Sequence, residues 1–386
     1  MNKEHPAIKY HLDSHGKIET AVKSRLETPE DLALAYTPGV AEVCRTIASE
    51  PETADLLTNR GNTVAIVSDG TAILGLGNIG PAAGLPVMEG KAMIFKKMAG
   101  VDAVPLCIMA DGVEDIVRFC KQIEPSFGGI NLEDIAAPGC FEILKRLEQE
   151  LSIPVFHDDQ DGTAIVSTAA LINATKVRGS EIGSLRVVIN GSGAAGIAIA
   201  RLLIAYGAGD IILVDSKGIL CADRADLNAS KREITGRTNP RNLSGDLAVA
   251  LVGADVFIGV SKGNILTQES IRTMAERPIV FAMANPDPEI LPDEAIAGGA
   301  FIVGTGRSDF PNQINNALVF PGLFRGLLDA RAADPSRSMP KDMTAMKLAV
   351  AQALAGCVEP TRERILPSVM DPSVVPAIRA AVLAQK

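Results

Sequence analysis

The 386-residue chain lacks several features that would assign it to a class at once. Its start, MNKEHPAIKYHLDSHG, has no apolar core of the kind a signal peptide needs. No apolar run reaches the ~20 residues that cross a bilayer. A secreted or membrane-spanning protein is therefore not expected, and the cytoplasm is the expected location. The six cysteines, Cys44, Cys107, Cys120, Cys140, Cys221 and Cys357, show no CxxC spacing. That excludes a disulfide framework and a zinc site, and leaves reduced thiols. An excess of positive charge is missing too: 37 Lys and Arg stand against 46 Asp and Glu, a net of -9. Nucleic acid is thereby excluded as the main partner. Small anionic substrates stay open, because a local site can oppose the global sign. There are no long repeats and no low-complexity tracts.

What is present is an ordinary globular balance, 47% hydrophobic and 22% charged, in a chain long enough for two domains. The first 160 residues mix signals. The apolar pattern from Pro29 to Arg45 is broken at Thr37-Pro38-Gly39, a turn. Runs at 63–68 and 103–108 read as buried strands. A small-residue helix, GTAIVSTAALINATK, begins at Gly162 and links this part to the next. From there the rhythm is regular: a strand at 186–190, a helix at 194–206, a strand at 211–215, then apolar runs at 255–260, 279–283 and 301–304 separated by helical segments. Such alternation predicts an α/β fold in which a parallel sheet is covered on both faces. The segment from Met343 to Lys386 reads as mostly helical and is expected to pack back on the first domain.

Two stretches match the GxGxxG fingerprint: Gly75-Leu-Gly-Asn-Ile-Gly80 and Gly191-Ser192-Gly193-Ala194-Ala195-Gly196. The pattern alone is weak. A dinucleotide loop also needs a strand before it, a helix whose N-terminal amides face the pyrophosphate, and an acid about 20 residues on. The Gly191 loop follows VVIN, opens IAIARLLIAYG, and is followed 24 residues later by Asp215 at a strand end. After Gly80, Pro81 and the run PAAGLP are expected to interrupt any helix. The first loop thus reads as a tight structural turn, or a wall of a substrate pocket. Asp215 would accept from the adenosine ribose 2′-hydroxyl of NAD, yet Ser216-Lys217 follow at once, and a lysine there suits the 2′-phosphate of NADP.

Three groups carry chemistry. Lys91 lies in MEGKAMIFKKMAG, where Met88, Lys91, Ile94, Phe95 and Met98 share one helical face. A lysine there is either snorkelling or buried with a task, and burial would lower its pKa toward that of a general base. Asn131-Leu-Glu133-Asp134 fits a plain helix start with Asn131 as cap, or an acidic site. In Val155-Phe-His-Asp158-Asp159-Gln-Asp161, three aspartates fall within four positions and no lysine or arginine lies nearby in sequence. A hard divalent cation, magnesium or manganese, would relieve that repulsion; a solvated loop with a capping aspartate is the alternative. His157 reads as structural. Asn285, in Asn-Pro-Asp-Pro, and Asn315-Asn316 sit where loops follow strands, either orienting a ligand or serving as turn residues.

Taken together, the strings YTPGVAEVC, SDGTAILGLGNIG, EGKAMIFK, NLEDIAAP, VFHDDQDGTAI, INGSGAAG, ANPDPE and INNALVFPG resemble malic enzyme in its short bacterial form. The likeness runs from near residue 30 to near 325, and ILPSVMDPSVVPAIRAAV extends it toward the end. It implies an N-terminal substrate and metal domain over residues 1–161 and a Rossmann-like NAD(P) domain over residues 162–386. It implies Lys91 as the base for the malate C2 hydroxyl, Tyr36 as the acid that protonates C3, and Glu133, Asp134 and Asp159 as ligands of magnesium or manganese. Asp158 would assist proton transfer, and Asn285, Asn315 and Asn316 would contact substrate or nicotinamide. A homodimer is implied as well. One departure is visible: where larger members carry an arginine before ILGLG, this chain has Thr71-Ala72. The acyltransferase-like domain of some bacterial members has no counterpart here, so its regulation is expected to be absent. The implied reaction is oxidative decarboxylation of malate. A malolactic enzyme with bound NAD and a non-catalytic nucleotide sensor are the alternatives.

Overall fold

The computed structural model describes residues 4–334 and 342–385. The alternating strands and helices fold into two sheets. The first contains β1 (Thr63–Ser68), β2 (Asp102–Cys107), β3 (Gly129–Leu132) and β4 (Val155–His157), all parallel in the order β2-β1-β3-β4. Every residue of β1 is buried. Because side chains alternate along a strand, Val64 and Ile66 join one core with Met88, Phe95 and Phe156, while Ala65 and Val67 join another with Ile116, Ile130 and Ile143.

The second sheet contains β5 (Arg186–Asn190), β6 (Asp210–Asp215), β7 (Gly218–Ile219), β8 (Val256–Gly259), β9 (Ile279–Ala282) and β10 (Ile302–Thr305). Its order is β10-β9-β8-β5-β6-β7, parallel except for the antiparallel edge strand β7. This is the Rossmann-like doubly wound arrangement, with its switch point beside β5. Between the sheets runs the helix Thr163–Arg178, buried continuously from Ala164 to Thr175. Its small residues let neighbours approach closely. The buried Asn173 donates to the carbonyls of Ala355 and Ile365, tying the C-terminal segment to this spine. The C-terminal helices Thr344–Ala355 and Val374–Leu383 pack on Thr163–Arg178 and on Phe320–Ala333, and the latter lies against Pro81–Ala99 of the first half. Lys386 lies outside the described residues.

Two local expectations are corrected. Pro81 does not interrupt a helix; it occupies the first position of the 19-residue helix Pro81–Ala99, where its missing N–H costs nothing. Pro86 is accommodated inside the same helix, and Gly100, at φ 66°, ends it by donating to Lys96 and Phe95 carbonyls. Likewise Asn131 is no helix cap. It belongs to β3, and Glu133-Asp134 follow the strand end, five residues before the helix Gly139–Glu150 begins.

Candidate active site

The C-terminal ends of the strands from both sheets face one another across a cavity of about 520 Å³. From the first half it receives Lys91, Glu133, Asp134 and Asp159; from the second, Ala195, Asn285, Asn315 and Asn316. The helix face seen in the sequence delivers Lys91 here: Met88, Lys91, Ala92 and Phe95 are buried together. Lys91 Nζ lies 2.7 Å from Glu133 Oε2, donates to Asp158 Oδ2, and rests 4.3 Å from the centre of the Phe320 ring.

The chain around the acids is shaped to hold them. Asp134 takes a left-handed backbone, φ 53°, and its N–H donates to Asp159 Oδ2 at 2.8 Å. Its carbonyl accepts from Ala72 N–H at 3.0 Å. Thr71 Oγ1 accepts from Ala136 N–H at 2.9 Å and donates to Asp69. The Thr71-Ala72 segment is therefore a brace for the acidic strand end, and Lys91 is the sole cationic side chain on the wall among the described residues. Asp158 to Gly162 form a π-helical turn. A Cβ at Gly162 would strike the Asp158 carboxylate, so only glycine lets that side chain turn toward Lys91.

Burial raises the pKa of all four acids: Glu133 and Asp158 to about 7, Asp134 to about 8 and Asp159 to about 6. Their mutual repulsion adds to the effect, and the Lys91 charge opposes it at each. At Lys91 itself burial opposes the ammonium, but Asp158 and Glu133 outweigh it and hold the pKa above the usual lysine value. The expected lowering by burial is thus reversed by partners the local sequence does not show. His157, fully buried, has its pKa lowered to about 4 by burial and is neutral. Its Nδ1 lies 3.7 Å from Asp159.

Most of the predicted residues come together, with differences in detail. Asp158 is 0% exposed and sits behind Lys91 rather than on the cavity wall. Asn315 caps a short turn through Ala317 N–H, while also lining the cavity. Tyr36 is elsewhere: it is 68% exposed, at the end of the helix Pro29–Ala35, and off the cavity wall. Of the first glycine loop, Leu74 and Gly75 do line the cavity, in keeping with the pocket-wall alternative. Sequence reasoning missed Phe320, although it stands in the quoted INNALVFPG string. It also missed Glu289, buried at 0% exposure, which accepts from the N–H groups of Ser261 and Ala284 and so joins two loops of the wall. Glu289 likewise ends the quoted ANPDPE string, where it is one of several acids and prolines and carries no signal of its own burial.

The second glycine loop has the strand–turn–helix form in full. Gly191, at φ 115°, follows β5, and the helix Ala194–Tyr206 opens directly after Gly193. A Cβ on Gly196 would strike the Gly191 carbonyl, whereas one on Gly193 would meet nothing within 4 Å. Ser192 Oγ is buried without a hydrogen-bond partner. Among the described residues, no group of three or more His, Cys, Asp or Glu side chains is arranged to hold a metal ion as it stands.

Comparison with known proteins gives a consistent result. Residues 15–112 and 108–148 match the family model of the malic enzyme N-terminal domain, and residues 160–385 that of the malic enzyme NAD binding domain. The bifunctional malic/malolactic enzyme of Bacillus subtilis is 50% identical over 99% of this chain and 92% of its own length. The NADP-dependent malic enzyme of Halomonas elongata is 48% identical over 87% of this chain and 80% of its own. The crystal structure of the NAD-dependent malic enzyme from Thermotoga maritima superposes with a TM-score of 0.93 at 50% identity, covering 98% of this chain and 99% of that one.

Proposed function

The chain belongs to the malic enzyme family, and from that premise we propose the part each residue plays in its reaction. It is an oxidoreductase that converts L-malate to pyruvate and carbon dioxide with reduction of NAD or NADP. The observation that carries the assignment of roles is Lys91, held between Glu133 and Asp158 on a cavity whose far wall is the dinucleotide domain. Residues 1–161 supply substrate and acid–base groups, and residues 162–386 hold the cofactor.

Lys91 first passes its ammonium proton to Asp158, in direct contact, and the neutral amine would then take the C2 hydroxyl proton when the nicotinamide is bound to accept hydride. Asn285, Asn315 and Asn316 orient the substrate carboxylate and the nicotinamide amide. Gly191, Ser192, Gly193, Ala194, Ala195 and Gly196 cradle the pyrophosphate, and the unpartnered Ser192 Oγ and the open face of Gly193 fit that load.

The residues also fit magnesium or manganese. Glu133, Asp134 and Asp159 are hard oxygen donors, burial raises their pKa values, and Asp134 Oδ2 is buried without a partner. Such an ion supplies Lewis acidity toward the C2 oxygen and the enolate. Glu133 would serve as a ligand of that ion, which would leave Asp158 as the carboxylate partner of Lys91.

Tyr36 cannot protonate C3 from its exposed position on this protomer. The helices Pro6–Ser14, Pro29–Ala35 and Val40–Ser49 contain no buried residue, and Leu34 is 76% exposed. These features support a homodimer in which this N-terminal arm is covered by a second copy and delivers Tyr36 across the interface. Hybrid dimers of Tyr36→Phe and Lys91→Ala chains should then regain activity that neither parent shows; no regain from folded hybrids refutes the shared site.

The overall reading is tested by following reduced dinucleotide and pyruvate together with L-malate and manganese. Equal appearance of both is expected. The bifunctional relative gives the malolactic reading a specific standing, and lactate without free reduced dinucleotide would establish it instead.

A further inference from the structure

The carboxylate that the sequence marks for the ribose is already engaged. Asp215 Oδ1 accepts from Lys217 N–H at 2.9 Å and from Arg224 Nη1 at 2.8 Å. Its Oδ2 accepts from Arg224 Nη2 at 3.2 Å and from Lys231 Nζ at 2.6 Å. A carboxylate offers about four lone-pair sites, so these four donors saturate it. A ribose 2′-hydroxyl could bind Asp215 only by displacing an ionic donor, an exchange of a charge-assisted bond for a weaker one.

The same cluster is built to receive an anion. Arg224 is held in a fixed orientation, because it also grips Asp226 with Nε at 3.0 Å and Nη2 at 2.8 Å. Lys217, the cation suggested by the sequence, instead pairs with Asp226 at 3.0 Å and is largely exposed. Arg224, Lys231 and Lys217 against Asp215 and Asp226 leave this linked group with net positive charge. Arg224 and Lys231 are the more sheltered of the three cations, with side chains 14% and 23% exposed.

We propose that Arg224 and Lys231 recognise the 2′-phosphate of NADP, with Asp215 serving as their anchor and not as a ribose acceptor. The inference rests on the reading that the Gly191 loop holds a dinucleotide, and it selects which one. A dianionic phosphate can accept from the two Lys231 ammonium hydrogens that Asp215 does not use, and it reaches the Nε and Nη2 edge of Arg224 by displacing the half-exposed Asp226 carboxylate, so the bonds to Asp215 stay in place.

The test is fluorescence titration of NADPH and NADH into the intact protein without malate, with 2′,5′-ADP and 5′-ADP as competitors. NADPH should bind at least about tenfold more tightly, the worth of one charge-assisted hydrogen bond. 2′,5′-ADP should displace it at concentrations where 5′-ADP does not. Lys231→Gln should weaken NADPH about tenfold and leave NADH within about twofold. Equal or tighter binding of NADH to the unaltered protein overturns the proposal whatever the variant does, as does an equal loss of both ligands in a folded Lys231→Gln. Failure of both dinucleotides to bind would sink the dinucleotide site itself, a result distinct from tight binding of both.

Discussion

An added Cβ at Gly196 would strike the carbonyl oxygen of Gly191 within its own loop, whereas at Gly75 it would strike the carbonyl oxygen of Asn285 in the other half of the molecule. Both positions belong to a GxGxxG string, and both loops lie between a strand and a helix. In the second loop the glycines close a tight turn from which the helix Ala194–Tyr206 opens directly. In the first, the connection from β1 to Pro81–Ala99 is long, and Gly75 is small so that two backbones can meet at the wall of the cavity. One fingerprint therefore serves a local fold in one half and an interdomain approach in the other.

That contrast can be tested in order of expected effect. If the chemistry belongs to the Gly75 half, Lys91→Ala should lower kcat by about 10²–10⁴-fold while dinucleotide affinity stays within a factor of two. A parallel loss of binding would erase the distinction between the halves. Gly196→Ala should do the reverse, weakening dinucleotide by about 10–100-fold through an overpacked turn. Gly193→Ala, facing open space, should keep its thermal stability and so separate folding from ligand contact. Gly75→Ala should leave dinucleotide affinity in place and lower kcat/KM for malate by about tenfold, because it displaces Asn285. If it weakens dinucleotide as much as Gly196→Ala does, the first loop is a cofactor loop after all.

The smallest effect concerns pH. β4 ends on the buried His157, whereas β5 ends on Asn190, which carries no titrating group and donates to Ser261 Oγ at 2.6 Å. The folded pKa of His157 is lowered to about 4, below its unfolded value, so the unfolded chain binds the proton first. Its contribution to stability is complete above the unfolded pKa and is lost as pH falls from there toward 4. In metal-free buffer, the melting temperature of the unaltered protein should fall relative to His157→Gln by roughly 2–4 °C between pH 7 and pH 5. A constant gap between the two melting curves would show that His157 does not change charge on unfolding in this range.

How much of this was legible beforehand follows from the range of each signal. The strand at 186–190 and the helix at 194–206 were readable to the residue, because periodicity and the glycine turn are local. The helix at Pro81 was not, since a proline at the first position and another inside the helix look alike in sequence, and only packing against β1 and β2 tells them apart. The acidic strand end at Glu133-Asp134 looked like a cap for the same reason.

By itself, then, the sequence determined the parallel α/β architecture, the strand–turn–helix form of the second glycine loop and the residue types that gather at the cavity. Each of these rests on neighbours within a turn or a strand. Only the tertiary structure decided the partners of the charges. Lys91 reaches Asp158 across 67 positions of chain, Lys347 meets Asp161 at 2.7 Å, and Arg224 and Lys231 close over Asp215. Three aspartates with no cation nearby in sequence proved to have two in space. The physical reason is that an ionic contact depends on distance through the folded core, and spacing along the chain does not encode it.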